Sequence, residues 1–484
     1  MRDIRVVIIG AGFGGLGAAR ALREAGVEDI VVLERADEVG GVWRDNTYPN
    51  AACDVPSPLY SWSWAANHGW HRRYGQQPEI LEYLQGAAAR EGLLDLVVTG
   101  AEVVSCRFDD ATGRWTVTTA AGDTYEADLL VPAVGQLSNP IIPDLPGRDS
   151  FAGPAFHSAQ WRHDVDLVGQ RVLVVGTGAS AIQFVPGIVD DVAAMTVFQR
   201  SAPYVIPKPD QPYRGLHHKA MARFPQIMAG ERRSWFWVTE KLNAALEGGP
   251  FYGGALLKAV EASWKAQLRL QVRDPGLRAK LVPDYQLGCK RILFSNSWYP
   301  ALARPHVDVV TEAVSAVEPT GVRTADGVLH EADVLIWGTG FAATEFLAGI
   351  EVIGAGGTDL REVWSDGAHA YLGIQIPGFP NLACIYGPNT NLGGSSIITM
   401  LEGQAGYVAQ LARRLQRDAH RIDVRPEVAA TYDAEMQQRL GDSVWSTCSS
   451  WYRDGSRIST NWPGRVTEYR TRTADVDWDA LLIA

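Results

Sequence analysis

The opening run Ile4-Arg5-Val6-Val7-Ile8-Ile9-Gly10-Ala11-Gly12-Phe13-Gly14-Gly15 carries the architecture of the chain. Apart from Arg5, residues 4–9 are apolar and β-branched, the pattern of a parallel strand buried on both faces. Glycines follow without a gap, and residues 16–25 read as a helix. In a strand–turn–helix of this kind, Gly10 permits the tight turn, Gly12 lets the backbone approach a pyrophosphate, and Gly15 lets the helix pack against the strand. The unpaired amides of the first helical turn then face the phosphates. A second apolar run, residues 30–33, ends in Glu34, an acceptor for ribose hydroxyls.

The same construction recurs at residues 172–175, Gly176-Thr177-Gly178-Ala179-Ser180-Ala181, and an apolar run at 195–198. Glu34 lies 24 residues after Gly10, and Arg200 lies 24 residues after Gly176. The registers match and the charges are opposite. A carboxylate suits free ribose hydroxyls and repels a 2′-phosphate, whereas an arginine gives that phosphate a bidentate, charge-assisted partner. The first turn is therefore expected to take FAD and the second NADPH. A longer repeat supports two copies of one plan. Residues 120–128 resemble residues 325–333, each with hairpin chemistry around a glycine, and each continues into an apolar strand ending in glycine, 129–135 and 334–340.

The fold class expected is α/β, two Rossmann-like dinucleotide-binding domains with an inserted helical subdomain. Residues 1–145 and 379–484 form the FAD domain, 151–212 and 282–378 the NADPH domain, and 213–281 the helical insertion. Residues 203–212 are proline-rich and read as a linker, and the tryptophans of the insertion, Trp235, Trp237 and Trp264, read as core rather than binding platform.

At 484 residues the chain is long enough for two or three cores. A net charge of −11 without a lysine and arginine cluster argues against a nucleic-acid partner. No run of about 18 apolar residues occurs, so no membrane span is expected, and the apolar N-terminus is cut by glycines rather than ending in a cleavage site. The five cysteines, Cys53, Cys106, Cys289, Cys384 and Cys448, show no Cys-x-x-Cys spacing. Neither a disulfide framework nor a zinc site is expected, and a reducing cytoplasm is the natural setting. His68 and His71 lack the further ligands that a metal would need, so no metal is expected.

Four stretches resemble the type I Baeyer–Villiger monooxygenases, a branch of the flavin-containing monooxygenases, and the likeness runs along nearly the whole chain. They are Gly40-Gly41-Val42-Trp43 through Tyr48-Pro49 to Asp54, then Phe151-Ala152-Gly153 through His157 to Trp161, then Cys289-Lys290-Arg291, and Trp337-Gly338-Thr339-Gly340-Phe341. Asn50 stands where the family usually has Gly or Met, and Arg162 where Pro or Asp is usual. The resemblance implies that NADPH reduces FAD, that a flavin C4a-peroxide forms with O2, and that this inserts one oxygen atom beside a ketone carbonyl to give an ester or lactone. It implies Arg291 as the cation that stabilises the anionic peroxide and adduct, with Asp54 orienting it. Lys290 joins Arg200 on the 2′-phosphate, and His157 is structural.

The candidate cofactor contacts are Gly10, Gly12, Gly15, Glu34, Val42, Trp43, Asp54, Tyr60, Val104 and Asn389 for FAD, and Gly176, Thr177, Gly178, Ser180, Gln183, Arg200, Ser201 and Lys290 for NADPH. Two other readings stay open at this point, an N- or S-oxygenating flavin monooxygenase and a non-oxygenating NADPH-dependent reductase. The partners expected are a small carbonyl compound and O2. Neither the ketone nor the oligomeric state is written in these motifs.

Overall fold

The computed structural model describes residues 2–247, 253–455 and 457–484. Its first sheet orders the strands Val97–Val98, Asp29–Leu33, Arg5–Ile9 and Leu129–Pro132, all parallel. Residues 381–385 extend it, with Ala383 N–H donating to the Leu130 carbonyl (2.9 Å) and Ile385 N–H to that of Pro132 (2.8 Å). The C-terminal part thus returns to the first sheet, and its long helix Ile397–Arg417 packs against the helix Phe13–Glu24 that follows the glycine turn.

The second sheet orders Val307–Val310, Ala194–Phe198, Arg171–Val175, Val334–Trp337 and Ala155–His157, again all parallel. The inner strands are buried along nearly their whole length, which is why they read as apolar runs without alternation.

The internal repeat extends to individual hydrogen bonds. Arg5 N–H donates to Asp128 Oδ2 (2.9 Å) and Arg171 N–H to Asp333 Oδ2 (2.8 Å). Each aspartate opens its sheet's returning strand and donates its own N–H back to the carbonyl of the same arginine, at 2.8 and 2.9 Å. The hairpins before these strands turn at Gly122 and Gly327, whose φ values of 91° and 87° favour glycine. Residues 213–281 form the helices Gly215–Arg223, Pro225–Leu246, Gly253–Gln271 and Pro275–Lys280, with residues 248–252 outside the described residues. Of the tryptophans read as core, Trp264 is buried and donates to the Tyr299 hydroxyl (2.8 Å), whereas Trp237 is exposed.

One expectation is overturned. Cys289 and Cys448 are joined by a disulfide, with Cα atoms 6.1 Å apart and a separation of 159 positions in sequence. The pair is created by tertiary packing of two distant loops, so no local spacing announces it. Cys53, Cys106 and Cys384 are free and buried. No helix among the described residues is long and apolar enough to cross a membrane.

Candidate active site

Both glycine turns close in the same way. Gly10 N–H donates to the Leu33 carbonyl (2.8 Å) and Gly176 N–H to that of Phe198 (3.0 Å). Gly10 and Gly176 have φ values of 102° and 110°, and a Cβ at either would strike a backbone carbonyl, of Ala133 and of Gly338. These turns require glycine for conformation and for space together. The cap at Gly12 carries no side-chain hydrogen bond, which leaves the first amides of that helix for a ligand, whereas in the second helix the N–H groups of Ile182 and Gln183 already donate to the carbonyls of Gly178 (3.1 Å) and Ser180 (3.0 Å).

Glu34 ends the strand Asp29–Leu33 and is 4% exposed. Its Oε2 accepts from Ala11 N–H (2.8 Å), and its Oε1 from Ala36 N–H (3.0 Å) and Arg44 Nη1 (3.0 Å). A carboxylate has about four acceptor positions, so about one is left for a hydroxyl. Burial works against the charge of Arg44, but Asp45 and Glu34 outweigh it and hold the guanidinium above its usual range. Motif reading passed over Arg44, although it sits inside the stretch Trp43 to Asp54.

One cavity is lined by Gly10, Gly12, Glu34, Val42, Trp43, Asp54 and Tyr60 from the first unit, and by Ser180, Gln183 and Arg291 from the second. Asn391, Leu392 and Ser395 of the C-terminal loops complete it. Trp43 Nε1 donates to the Tyr60 hydroxyl (3.0 Å), fixing both rings in the wall. Gln183 ties the two units together, since its Oε1 accepts from Ala52 N–H (3.1 Å) and the Tyr48 hydroxyl (3.2 Å), and its Nε2 donates to the Ala52 carbonyl (3.0 Å). Asn50 has φ 63°, a left-handed conformation that asparagine tolerates better than most residues. The departure at Arg162 is an exposed ion pair with Asp164.

Arg291 is half-buried in this wall. Burial opposes its charge, but ionisable neighbours, Asp54 first among them, more than offset that, and the guanidinium lies above its ordinary range. The sequence reading has Asp54 orienting Arg291, and here the structure differs. The direct partner of Asp54 is Lys208, with Nζ 3.4 Å from Oδ1. No ion pair within 4.0 Å joins Asp54 to Arg291 among the described residues; the two interact only at longer range. Lys208 lies 154 residues away in sequence, so no motif containing Asp54 could have revealed it.

The second cradle adjoins this cavity. Arg200 is exposed at the end of its strand, and Lys290 Nζ donates to Ser201 Oγ (2.8 Å). Burial, and then the charge of Arg200, push the Lys290 ammonium below the usual lysine range. Thr177 Oγ1 donates to the Ser201 carbonyl (3.4 Å), closing the cradle beside Gly176 and Gly178.

Of the residues nominated for cofactor contact, Gly15 lies behind the cavity wall at the seat of helix on strand, and Gly176, Thr177, Gly178, Arg200, Ser201 and Lys290 lie outside it in the second cradle; Val104 and Asn389 do not line it either. Val104 sits at a register shift between Val103 and Ser105 that turns it outward, and its neighbour Val103 faces in. Asn389 is buried and donates to the carbonyls of Ile458 (2.8 Å) and Asn461 (3.1 Å), stapling the C-terminal loops. His157 is fully buried, accepts from Ala159 N–H (3.1 Å), and is driven by burial to a pKa of about 4. His71 pairs with Glu79 (2.9 Å). No group of three or more metal-ligating residues occurs among the described residues.

This geometry can be set beside known proteins. Residues 7–229 match the pyridine nucleotide-disulphide oxidoreductase family model. A Baeyer–Villiger monooxygenase of Streptomyces coelicolor is 45% identical over 98% of this chain and 91% of its own length, and one of Pseudomonas aeruginosa is 40% identical over 99% and 91%. The chain belongs to the Baeyer–Villiger monooxygenase family. An oxidised steroid monooxygenase bound to NADP superposes with a TM-score of 0.87 at 32% identity, covering 99% of both chains. The closed form of a cyclohexanone monooxygenase gives 0.87 at 28% identity, covering 100% of this chain and 99% of its own. Membership of the Baeyer–Villiger family also bears on the disulfide. The family model's description carries the word disulphide, yet neither Cys289 nor Cys448 lines the cavity, and both pack beside Leu246, Trp445 and Tyr452.

Proposed function

We propose that this chain binds FAD in the first cradle and NADPH in the second, and that it inserts one oxygen atom of O2 next to a ketone carbonyl to give an ester or lactone. On this reading residues 1–145 and 379–484 carry FAD, residues 151–212 and 282–378 carry NADPH, and the protein works in the cytoplasm. The donor sets fit these groups. Helix amides and Gly12 suit the FAD pyrophosphate, Glu34 suits its ribose, and Arg200 with Lys290 suits a 2′-phosphate. When bound, the flavin supplies two-electron reduction and activation of O2, with NADPH as its hydride source.

What the chain's own residues add is charge and exclusion of water. Arg291 remains cationic at any working pH and faces the cavity shared by both cradles. Negative charge that gathers on the substrate's carbonyl oxygen is stabilised by a fixed guanidinium, which needs no reorganisation as the charge develops. Trp43, Tyr60 and Leu392 line the same cavity, and such apolar walls keep the cation in a low-dielectric space where its field is strong.

The single observation that carries this reading is the position of Arg291, held charged in the cavity lined by the Gly10 turn and by Ser180. Arg291→Ala should lower ester or lactone formed per NADPH consumed by about 10²–10³-fold, the loss seen when one preorganised oxyanion partner is removed, with the missing electrons recovered as hydrogen peroxide. Purified protein supplied with NADPH, O2 and a panel of ketones and sulfides reads this directly. Normal ester yield from the variant, or sulfoxides alone from the parent, would overturn it.

A further inference from the structure

We propose that Lys208 is a positioning residue that competes with Arg291 for the carboxylate of Asp54 and so leaves the Arg291 guanidinium free to face substrate. This rests on the reading of Arg291 given above and adds to it a residue that no motif marks.

The argument begins with the backbone. Strand Val205–Ile206 pairs in parallel with Leu293–Phe294, so Lys208 leaves the first strand two residues past its end, while Arg291 stands two residues before the second. Asn296 clamps Lys208 in place, its Oδ1 accepting from the Lys208 N–H (3.0 Å) and its Nδ2 donating to the Lys208 carbonyl (2.9 Å). Two residues on, Asp210 is held by Arg72 (2.6 and 3.0 Å) and by Tyr74 N–H (3.3 Å). These contacts fix the point from which the lysine side chain starts. Its Nζ donates to the Cys53 carbonyl (2.9 Å), lies 4.9 Å from the Tyr74 ring centroid, and reaches Asp54 Oδ1.

The charges then follow. The side chains of Lys208 and Asp54 are only 13% and 7% exposed, so their attraction is weakly screened. One carboxylate therefore stands between two cations delivered by neighbouring strands. Lys208 holds it at ion-pair distance and Arg291 does not. An arginine locked in a bidentate pair has its charge compensated and its donors occupied. An arginine whose nearest carboxylate is already neutralised keeps both for an incoming oxygen. Without Lys208, Asp54 would be a nearly buried and unpaired carboxylate, and Arg291 is the cation best placed to relieve it.

The test is Lys208→Met, which keeps the length of the side chain and removes its charge, together with Lys208→Arg. Crystals of the cofactor-free Met variant should show the Arg291 guanidinium within hydrogen-bond distance of Asp54, and the Arg variant should not. In the loaded enzyme, ester formed per NADPH consumed should fall about ten- to a hundredfold in the Met variant, the scale of a displaced catalytic group, and recover in the Arg variant. Arg291 unmoved in the Met crystal would overturn the proposal. So would Arg291 moved with no fall in coupling, or a fall that the Arg variant fails to rescue. The crystallographic arm stands whatever Arg291→Ala does, so failure here is separable from failure of the function proposed above.

Discussion

The two glycine turns of this chain share a scaffold and differ in their third position and in the charge beyond it. Both close with the same hydrogen bond from the first glycine, and both need that glycine at positive φ. Where the first turn has Gly15, however, the second has Ala181, buried and carrying its Cβ without conflict. A Cβ on Gly15 would stand 1.9 Å from the Gly10 carbonyl oxygen, far inside van der Waals contact. The first helix is therefore seated more tightly on its strand than the second. The strand end of the first turn carries buried Glu34, and that of the second exposed Arg200. One strand end is closed and anionic and the other open and cationic, which on the function proposed above suits a ligand that stays and one that exchanges.

The largest effect should come from forcing the first turn to resemble the second. Gly15→Ala must push a helix backbone away from a carbonyl that cannot yield, at a cost of about 3 kcal/mol or more, the upper end for overpacking. Thermal melting with and without added FAD measures it, and the variant should be purified depleted of flavin. A variant with parental melting temperature and flavin content would show that the tight seat is not needed.

The next effect concerns charge. Arg200→Ala removes a charge-assisted partner worth roughly 1.5–3 kcal/mol, so the ratio of kcat/KM for NADPH to that for NADH should fall by about ten- to a hundredfold. The change should lie in the NADPH value, because NADH lacks the phosphate. Unchanged discrimination would remove the functional half of the contrast between Glu34 and Arg200.

What could be read from sequence follows the range of the interactions. Strand, turn and helix are contiguous, so the two α/β units, their opposite strand-end charges and the hairpins at Gly122 and Gly327 are visible in consecutive residues. Residues nominated inside a motif, such as Trp43, Asp54 and Arg291, line one cavity. Val104, nominated outside the quoted motifs, misses by one residue, because the strand's alternation, which would put Val104 on the side of Cys106 and Phe108, is shifted at the irregularity between Val103 and Ser105. Asn389, in the loop signal of the C-terminal part, misses because its amide serves two loop carbonyls that only the folded chain brings near. The same limit hid the Cys289–Cys448 bond and the Lys208–Asp54 pair, which join segments more than 150 residues apart and leave no periodic or spaced trace.

The smallest effect sharpens the contrast most. Gly178 has no protein atom within 4 Å of where its Cβ would stand, whereas the equivalent Gly12 faces the Cα of Gly41 at 3.7 Å. The second turn thus has no internal reason for glycine at this position, and on the function proposed above the open space in front of it takes the NADPH pyrophosphate. Gly178→Ala should leave melting of the cofactor-free protein unchanged or raise stability by roughly 0.4–1 kcal/mol, through the reduced freedom of the unfolded chain. Its KM for NADPH should nonetheless rise about three- to tenfold, a penalty of roughly 1 kcal/mol set by a methyl group against the pyrophosphate. A lowered melting temperature would mean that the glycine serves the fold, as Gly15 does. An unchanged KM would mean that the pyrophosphate does not approach this turn, and the second unit would lose its likeness to the first at the one point where only a ligand explains the residue.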